Sequence, residues 1–261
     1  MIEKSRSLRY SLQEISHLPG SSKLRFLTSA QLVEEQRRGA LILDTRAAEQ
    51  FASLHVRGAI QIGLGGPFAS WAAIVLEPTQ KLVLVAEDEE SAEEAHIRLA
   101  RVGLDRVVGY SLADGARWRE AKIDLASICT RRCADVRQTL ERDSSVQLVD
   151  VRSRAEWLKG HLPGAVSVPL LDLESGAQLI DPARSSLVYC HEGFRATTAA
   201  SLLLRGGSGE ISILIDGVEG WSALGLPLEL PGPRCRLIDS PTPLPTVFLA
   251  RDLSDPKQFL Y

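Results

Sequence analysis

Continuous apolar runs, separated by longer amphipathic stretches, recur along this chain. An apolar run that does not alternate with polar residues predicts a strand buried on both faces, which is typical of a parallel sheet. Strands are therefore predicted at 41–43, 81–85, 146–149 and 186–189. Because the amphipathic stretches between them predict helices, we expect an α/β fold with parallel sheets flanked by helices on both faces.

Helix boundaries follow from local polar residues. Thr28 and Gln31 form the pattern of a capping box, which predicts a helix through Arg38 that ends at Gly39. Further helices are expected at 8–18, 135–142 and 196–204.

The same order of short motifs occurs twice along the chain. Asp44-Thr-Arg46 and Asp150-Val-Arg152 lie 106 residues apart, as do His55 and His161. A period of this length is that of one globular domain rather than of a solenoid repeat. We therefore predict a leader at 1–24, two domains at 25–125 and 130–230 with a linker near 121–132, and a proline-rich tail at 231–261.

Charge, hydropathy and cysteine count indicate which partners and which compartment to expect. The net charge is −3 and no basic stripe is present, so we expect no nucleic-acid partner. No apolar stretch reaches the roughly 18 residues that a membrane span needs, and the N-terminus lacks the apolar segment of a signal peptide. Four cysteines are too few for a disulfide framework, so the expected compartment is the reducing cytoplasm.

The strongest candidate for chemistry is the loop that begins at Cys190, between a predicted strand and a predicted helix. Loop N–H groups and a helix N-terminus would both favour a thiolate, as a nucleophile requires. The alternative is a small buried apolar side chain. The expected catalytic residue is Cys190, and the expected substrate-binding residues are His191, Glu192, Gly193, Phe194 and Arg195.

Loop length limits the substrate. The spacing from Cys190 to Arg195 is C-x-x-x-x-R, one residue shorter than the loop that phosphatases wrap around phosphate. A shorter cradle has room for one extra sulfur but is cramped for a tetrahedral oxyanion. The spacing therefore opposes a phosphatase or an arsenate reductase.

Four ordered motifs over residues 130–230 resemble those of the rhodanese (sulfurtransferase) family. They are Asp150-Val-Arg152, Glu156-Trp157, Gly160-His-Leu-Pro-Gly-Ala165 and the region Asp216–Trp221, together with the Cys190 loop. The resemblance implies that Cys190 accepts sulfur from thiosulfate or from a glutathione or protein persulfide. It also implies that Cys190 passes this sulfur to cyanide or a thiol. No metal and no cofactor are expected.

The first copy lacks these reactive residues. Ala86 stands at the position of Cys190, Ser91 at that of Arg195, and Gln50 at that of Glu156. Together with segment 64–71, this copy resembles the inactive rhodanese domain fused to metallo-β-lactamase-type persulfide dioxygenases. The resemblance implies an inactive first domain and a persulfide-metabolising protein as a potential partner.

Several roles stay open at this point. Asp150, Arg152 and Glu156 either contact substrate or form an ion pair that braces the strand and the following turn; we expect the second. Arg195 either binds an anionic donor or braces the loop through carbonyl contacts. Glu192 would repel a dianionic donor, which makes a persulfide at least as suitable a donor as thiosulfate.

The remaining polar residues are expected to have simpler roles. His55 and His161 are predicted to pack or to bond a turn, and Cys129 and Cys133 lack the partners of a zinc site. Cys235 either takes part in sulfur transfer or is a passive tail residue. The acidic run 87–94 predicts a solvated helix start or a docking surface for a basic partner. A sulfur carrier, a binding module or a redox-regulatory module remains the alternative to an enzyme.

Overall fold

The first half of the chain folds around a parallel sheet. A computed structural model describes residues 23–136 and 145–230. The elements of the first half are α1 (Ser29–Arg37), β1 (Leu41–Asp44), α2 (Ala48–Ser53), β2 (His55–Val56), β3 (Ile60–Gln61), α3 (Phe68–Val75), β4 (Leu82–Ala86), α4 (Glu89–Ala100), β5 (Val107–Leu112), α5 (Gly115–Glu120) and β6 (Leu125–Ala126).

The second half has a second sheet. Its elements are β7 (Cys129–Arg131), β8 (Gln147–Asp150), α6 (Arg154–Trp157), β9 (Val166–Ser167), a 3₁₀ turn (Leu170–Asp172), α7 (Leu173–Gly176), a 3₁₀ turn (Ala177–Leu179), β10 (Ser186–Tyr189), α8 (Phe194–Arg205), β11 (Ile211–Leu214) and α9 (Gly217–Ala223).

The sheets confirm the predicted fold class. The first has the strand order β3-β1-β4-β5 and the second has the order β7-β11-β10-β8-β9, and every pair within them is parallel. All four predicted strands are present, and every residue of the observed strands Leu41–Asp44, Leu82–Ala86, Gln147–Asp150 and Ser186–Tyr189 is buried. Lys81 and Val146, predicted to begin two of them, lie just before the strands and are not buried. A short antiparallel pair, β2 with β6, is separate from both sheets. Among the described helices, none is both long and apolar enough to cross a membrane.

The segment predicted to be a linker, 121–132, is instead partly in strands. Cys129–Arg131 forms the edge strand β7 beside β11, and β6 pairs with β2 of the first half. The chain therefore passes from one sheet to the other without a long connection. Helix 8–18, Cys235, the tail and most of helix 135–142 lie outside the described residues.

Helix α8 of the second half packs against β3 of the first. The backbone N–H of Gln61 donates to Ser201 Oγ at 3.1 Å, and Thr198 Oγ1 donates to Gln61 Oε1 at 3.4 Å. All three residues are buried. Arg205, whose pKa is lowered by burial, donates to the carbonyl of Gly58 at 2.9 Å. The first half thus covers the helix that follows Cys190.

Candidate functional site

Cys190 follows the last residue of β10, the middle strand of the second sheet. The N–H of Gly193 donates to Cys190 Sγ at 3.1 Å. Gly193 has φ +90°, in the left-handed region that favours glycine, and it caps the N-terminus of α8. The loop therefore turns back on the sulfur and presents a backbone donor together with the positive end of a helix.

The sulfur is deeply buried. Although Cys190 begins a loop, it is only 1% exposed. It belongs to the same buried apolar cluster as Ala196 and Ala199 of α8. A reaction partner reaches such a sulfur along a defined approach, since most of its surface is covered by protein.

Helix α9 holds the outer side of the Cys190 loop. Val218 N–H donates to the carbonyl of Cys190 at 3.0 Å, and Glu219 N–H donates to that of His191 at 3.3 Å. Gly217 makes this approach feasible, because a Cβ at this position would clash with both carbonyl oxygens. The region 216–221, identified from the sequence, therefore supports the loop through its backbone.

Arg195 closes the loop by binding Glu156. Its two terminal nitrogens donate to the two carboxylate oxygens, each at 2.7 Å. The carboxylate also accepts from Ser153 Oγ at 2.7 Å. The hydrogen bonds from Arg195 lower the pKa of Glu156 from 4.5 to about 2, and Glu156 in turn raises the pKa of Arg195.

This pair changes two expectations. Arg195 braces the loop through a carboxylate, rather than through carbonyl contacts or as an unpaired cation for an anionic donor. Glu156 belongs to this pair and not to the one made by Asp150 and Arg152. Local sequence patterns do not predict this contact, since the partners lie 39 residues apart.

Asp150 and Arg152 form a separate, buried ion pair at the end of β8. Arg152 Nη2 lies 2.6 Å from Asp150 Oδ2 and also donates to the carbonyl of Gly160 at 2.8 Å. The pair is bidentate, because Arg152 Nε donates to the same carboxylate at 3.0 Å. Both side chains are almost fully buried, so the structure places them in a brace between the strand and the following turn.

The two histidines confirm the packing interpretation. His161 stacks on Trp157 with ring centroids 3.4 Å apart, and His55 stacks on Phe51 at 3.9 Å. His55 Nδ1 also lies 2.8 Å from the carbonyl oxygen of Phe51. Burial lowers the pKa of His55, which favours the neutral ring in this environment.

Cys133 contacts the turn that precedes α9, a contact that the sequence did not predict. Its N–H donates to Asp216 Oδ1 at 3.0 Å and its thiol donates to the carbonyl of Gly217 at 3.3 Å. Burial, followed by the effect of Asp216, raises the pKa of this thiol to about 12. Cys133 is therefore an inert thiol that supports the turn before α9.

The outer face of the loop carries exposed side chains. His191 and Glu192 are 55% and 59% exposed, and Phe194 is 56% exposed. Ligand atoms of His191, Glu192 and Glu219 lie within 4.8 Å of one another, so these three residues could hold a cation. Of the predicted substrate-binding residues, Gly193 contacts the sulfur, Arg195 is paired, and the other three face outwards.

The equivalent end of the first sheet has an alanine in place of the cysteine. Ala86 is the last residue of β4 and is fully buried. Asp88 caps α4 by accepting from the N–H of Ser91 at 2.8 Å. A cavity of about 700 Å³ lies near this end, with Glu87 and Asp114 among its lining residues.

Comparison with known proteins places the described site in a family. The sequence pattern of the Rhodanese-like domain matches residues 133–224. A protein named Sulfurtransferase from Allochromatium vinosum is 32% identical over 94 residues, which cover 36% of this chain and 88% of the relative. The HTH-type transcriptional regulator Rv0324 of Mycobacterium tuberculosis is 30% identical over 210 residues, which cover 80% of this chain and 72% of the relative.

A solved structure shows a more distant likeness. It is the crystal structure of a thiosulfate sulfurtransferase from Pseudomonas aeruginosa, with 22% sequence identity and a TM-score of 0.36. The match covers 79% of this chain and 44% of that structure. The chain therefore spans less than half the length of this sulfurtransferase.

Proposed function

The chain belongs to the rhodanese-like family, and we propose that its second half is a sulfurtransferase that carries a sulfane sulfur on Cys190. The observation that supports this most is the N–H of Gly193, which points at Cys190 Sγ from 3.1 Å. A backbone donor beside the first turn of α8 stabilises negative charge on sulfur, which both the thiolate and the anionic persulfide carry.

The proposed reaction is a double displacement. The Cys190 thiolate attacks the outer sulfur of a donor, the sulfur–sulfur bond of the donor breaks, and the leaving group departs with the electron pair. Thiosulfate would leave as sulfite and a persulfide would leave as a thiolate. The acceptor, cyanide or a thiolate, then attacks the outer sulfur of the Cys190 persulfide and restores the Cys190 thiolate. The protein gains one sulfane sulfur in the first step and loses it in the second, so its oxidation state is unchanged over the full cycle and no external oxidant or reductant is needed.

The donor that we propose follows from the charges of the side chains on the Cys190 loop. Glu192 is an exposed carboxylate on the outer face of the loop, and the guanidinium of Arg195 is already bound to Glu156. A dianion such as thiosulfate that approaches this loop therefore meets a like charge, and the arginine of the loop is already paired. A glutathione or protein persulfide is the donor that we propose, and a persulfide-metabolising protein is then a candidate partner.

The domain assignment is also part of this proposal. We take 25–125 as a rhodanese-like domain without a catalytic cysteine and 130–230 as the active one. This is supported by the two parallel sheets and by the equivalent positions of Ala86 and Cys190 at the carboxyl ends of the corresponding strands.

A regulatory module is the second candidate function. It is favoured by the likeness to a transcriptional regulator, which extends over 80% of this chain and therefore beyond one sheet. In this case Cys190 would take up sulfur without passing it on to a small acceptor. Turnover with cyanide or a thiol would distinguish the two candidates, since only the enzyme regenerates its thiolate rapidly.

The deciding experiment is mass spectrometry of the full chain after exposure to thiosulfate, mercaptopyruvate or glutathione persulfide. We expect one added sulfur atom, located on Cys190 and removed by cyanide. Cys190→Ala should abolish both uptake and turnover, whereas Cys129→Ala, at an exposed position in β7, should retain them. Uptake that persists in Cys190→Ala would overturn the assignment.

A further inference from the structure

A groove of about 450 Å³ runs between the two halves, beside the Cys190 loop. The second half contributes Phe194, Arg195 and Thr198, all on α8. The first half contributes Trp71 of α3 and the segment 62–67 that precedes this helix. Residues 190–193 do not line the groove, but Phe194 directly follows Gly193, whose N–H contacts Cys190 Sγ, so one wall of the groove is the first turn of the helix that the Cys190 loop leads into.

The wall from the first half is held in place by Arg98. This side chain on α4 donates to the carbonyl of Leu64 at 2.6 Å and to that of Gly66 at 2.7 Å. Gly63 lies against Phe194: a Cβ at position 63 would lie 3.6 Å from the Phe194 ring, in ordinary contact, and only 3.2 Å from Gln61 Nε2. The glycine-rich segment is thus a positioned wall of the groove.

The lining of the groove selects against highly charged ligands. Ile62, Pro67, Trp71 and Phe194 give it an apolar and aromatic surface. Of the described side chains that line it, only Arg195 is charged, and its positive charge is balanced by Glu156. Pockets of this size with aromatic walls and few polar groups bind the apolar part of small organic ligands.

We propose that this groove binds the organic group of a sulfur substrate that is apolar away from its reacting sulfur. The inference rests on the proposed sulfurtransferase function and narrows its donor: among persulfides and related sulfane-sulfur compounds, it favours those with an apolar organic group over glutathione persulfide, whose peptide is charged. The first half then takes part in substrate selection through Trp71 and segment 62–67, although it lacks a nucleophile of its own.

Two thiosulfonates of equal charge test this proposal. Benzenethiosulfonate and methanethiosulfonate are both monoanions, and each loses its outer sulfur to the Cys190 thiolate as the sulfur–sulfur bond breaks and a sulfinate leaves. Only the first carries an apolar ring. The measurement is the ratio of kcat/KM for the two donors, benzene over methane, with cyanide as the acceptor.

We expect this ratio to exceed one in the wild type and to fall about fivefold or more in Trp71→Ala, since the ring loses apolar contact. Phe194→Ala should also lower the ratio. Because Phe194 is exposed, we expect this substitution to leave the fold intact, so that a lower ratio reports the lost contact with the donor. Ile74→Ala is the matched control, because Ile74 is exposed on the same helix and lies outside the groove. Thermal unfolding is measured for each variant.

The outcomes separate the two proposals. If neither thiosulfonate nor glutathione persulfide adds sulfur to wild-type Cys190, the sulfurtransferase function is overturned and the groove inference with it. If Cys190 takes up sulfur but the ratio is one, or if Trp71→Ala and Phe194→Ala leave it unchanged, the groove inference alone is overturned.

Discussion

The two halves of the chain have the same braces at matched positions. Arg46 binds Asp44 as Arg152 binds Asp150, with the closest nitrogen–oxygen distance 2.6 Å in both. Each arginine also donates to a carbonyl eight residues later, at 2.8 Å in both cases. The stacked histidines, His55 and His161, repeat in the same way.

The sheets match as well. Reading from β3 to β5, the first sheet has the same order as the second from β9 to β11. Even the edge strand β7 has a counterpart, because Phe26 forms a parallel bridge to Tyr110 of β5. The differences between the halves therefore cannot be assigned to a difference in scaffold.

The halves differ in the connection after the central strand. In the first, β4 extends to Ala86 and Asp88 already caps the next helix. In the second, β10 ends at Tyr189 and α8 begins only at Phe194, so the chain from Cys190 to Gly193 is available to surround a sulfur. The braces therefore support the fold in both halves, whereas the longer connection in the second half makes room for a reactive sulfur.

The largest effect on sulfur transfer is expected when Glu156 is replaced by glutamine, the residue that the first half has at the matched position. Glu156→Gln places the amide of Gln50 at the matched position and breaks the bidentate pair with Arg195. We expect kcat/KM for sulfur transfer to fall about tenfold or more, because the loop loses its closing contact. Steady-state kinetics check this, and Gln50→Ala in the first half is the matched control, expected to change kcat/KM little.

The same pair gives a pH dependence with a defined sign. The pKa of Glu156 is about 2 in the fold against an ordinary value of 4.5, so its ionised form is favoured in the folded state. Its contribution to stability is fully present above pH 4.5 and is lost as the pH falls towards 2. The free energies of unfolding of wild type and Glu156→Gln should therefore converge as the pH falls from 4.5 towards 2. Curves that stay parallel there would contradict the assignment.

The next prediction concerns the contact between the halves. Ser201→Ala leaves the buried N–H of Gln61 without its acceptor, which should cost about 1–3 kcal/mol of unfolding free energy. Ser222→Ala, at an exposed position on α9, is the control and should be close to neutral. Chemical denaturation measures both variants. If Ser201→Ala is as stable as Ser222→Ala, the first half does not hold α8 through this bond.

A smaller effect on catalysis is expected from the carboxylate that follows the central strand of each sheet. Asp88 is used as a helix cap, whereas Glu192 is exposed beside His191. Glu192→Lys should raise kcat/KM for thiosulfate a few-fold, and the gain should shrink with salt because charges are screened over about 8–10 Å. A persulfide of low charge should respond much less. Equal gains for both donors would show that Glu192 shapes the loop instead.

The smallest effect is expected from adding a thiol to the first half. Ala86→Cys places sulfur at the buried end of β4, but the chain turns directly into the capped helix α4, and Glu87 and Glu89 add negative charge. We expect no measurable sulfur uptake at position 86 in a Cys190→Ala background. Mass spectrometry provides the check, and uptake there would show that a long connection is not required.

Local patterns predicted the strands, the capped helix after Thr28 and the loop position of Cys190, because burial and capping are properties of neighbouring residues. Contacts between distant segments could not be predicted in this way. Glu156 meets Arg195, and Cys133 supports the turn at Gly217, only because separate strands end at the same edge of a sheet. The burial of Cys190 depends on α8, whose opposite side is covered by the other half of the chain.

The contact of α9 with the Cys190 loop limits how this site could be redesigned. A larger oxyanion would need a longer loop, but the carbonyls of Cys190 and His191 are already bound by the N–H groups of Val218 and Glu219. Gly193 faces the carbonyl of Ile215, where a Cβ would lie only 2.6 Å away. An inserted residue would have to displace α9 as well. Conversion to phosphate chemistry would therefore require changes in two segments at once, which a single insertion does not provide.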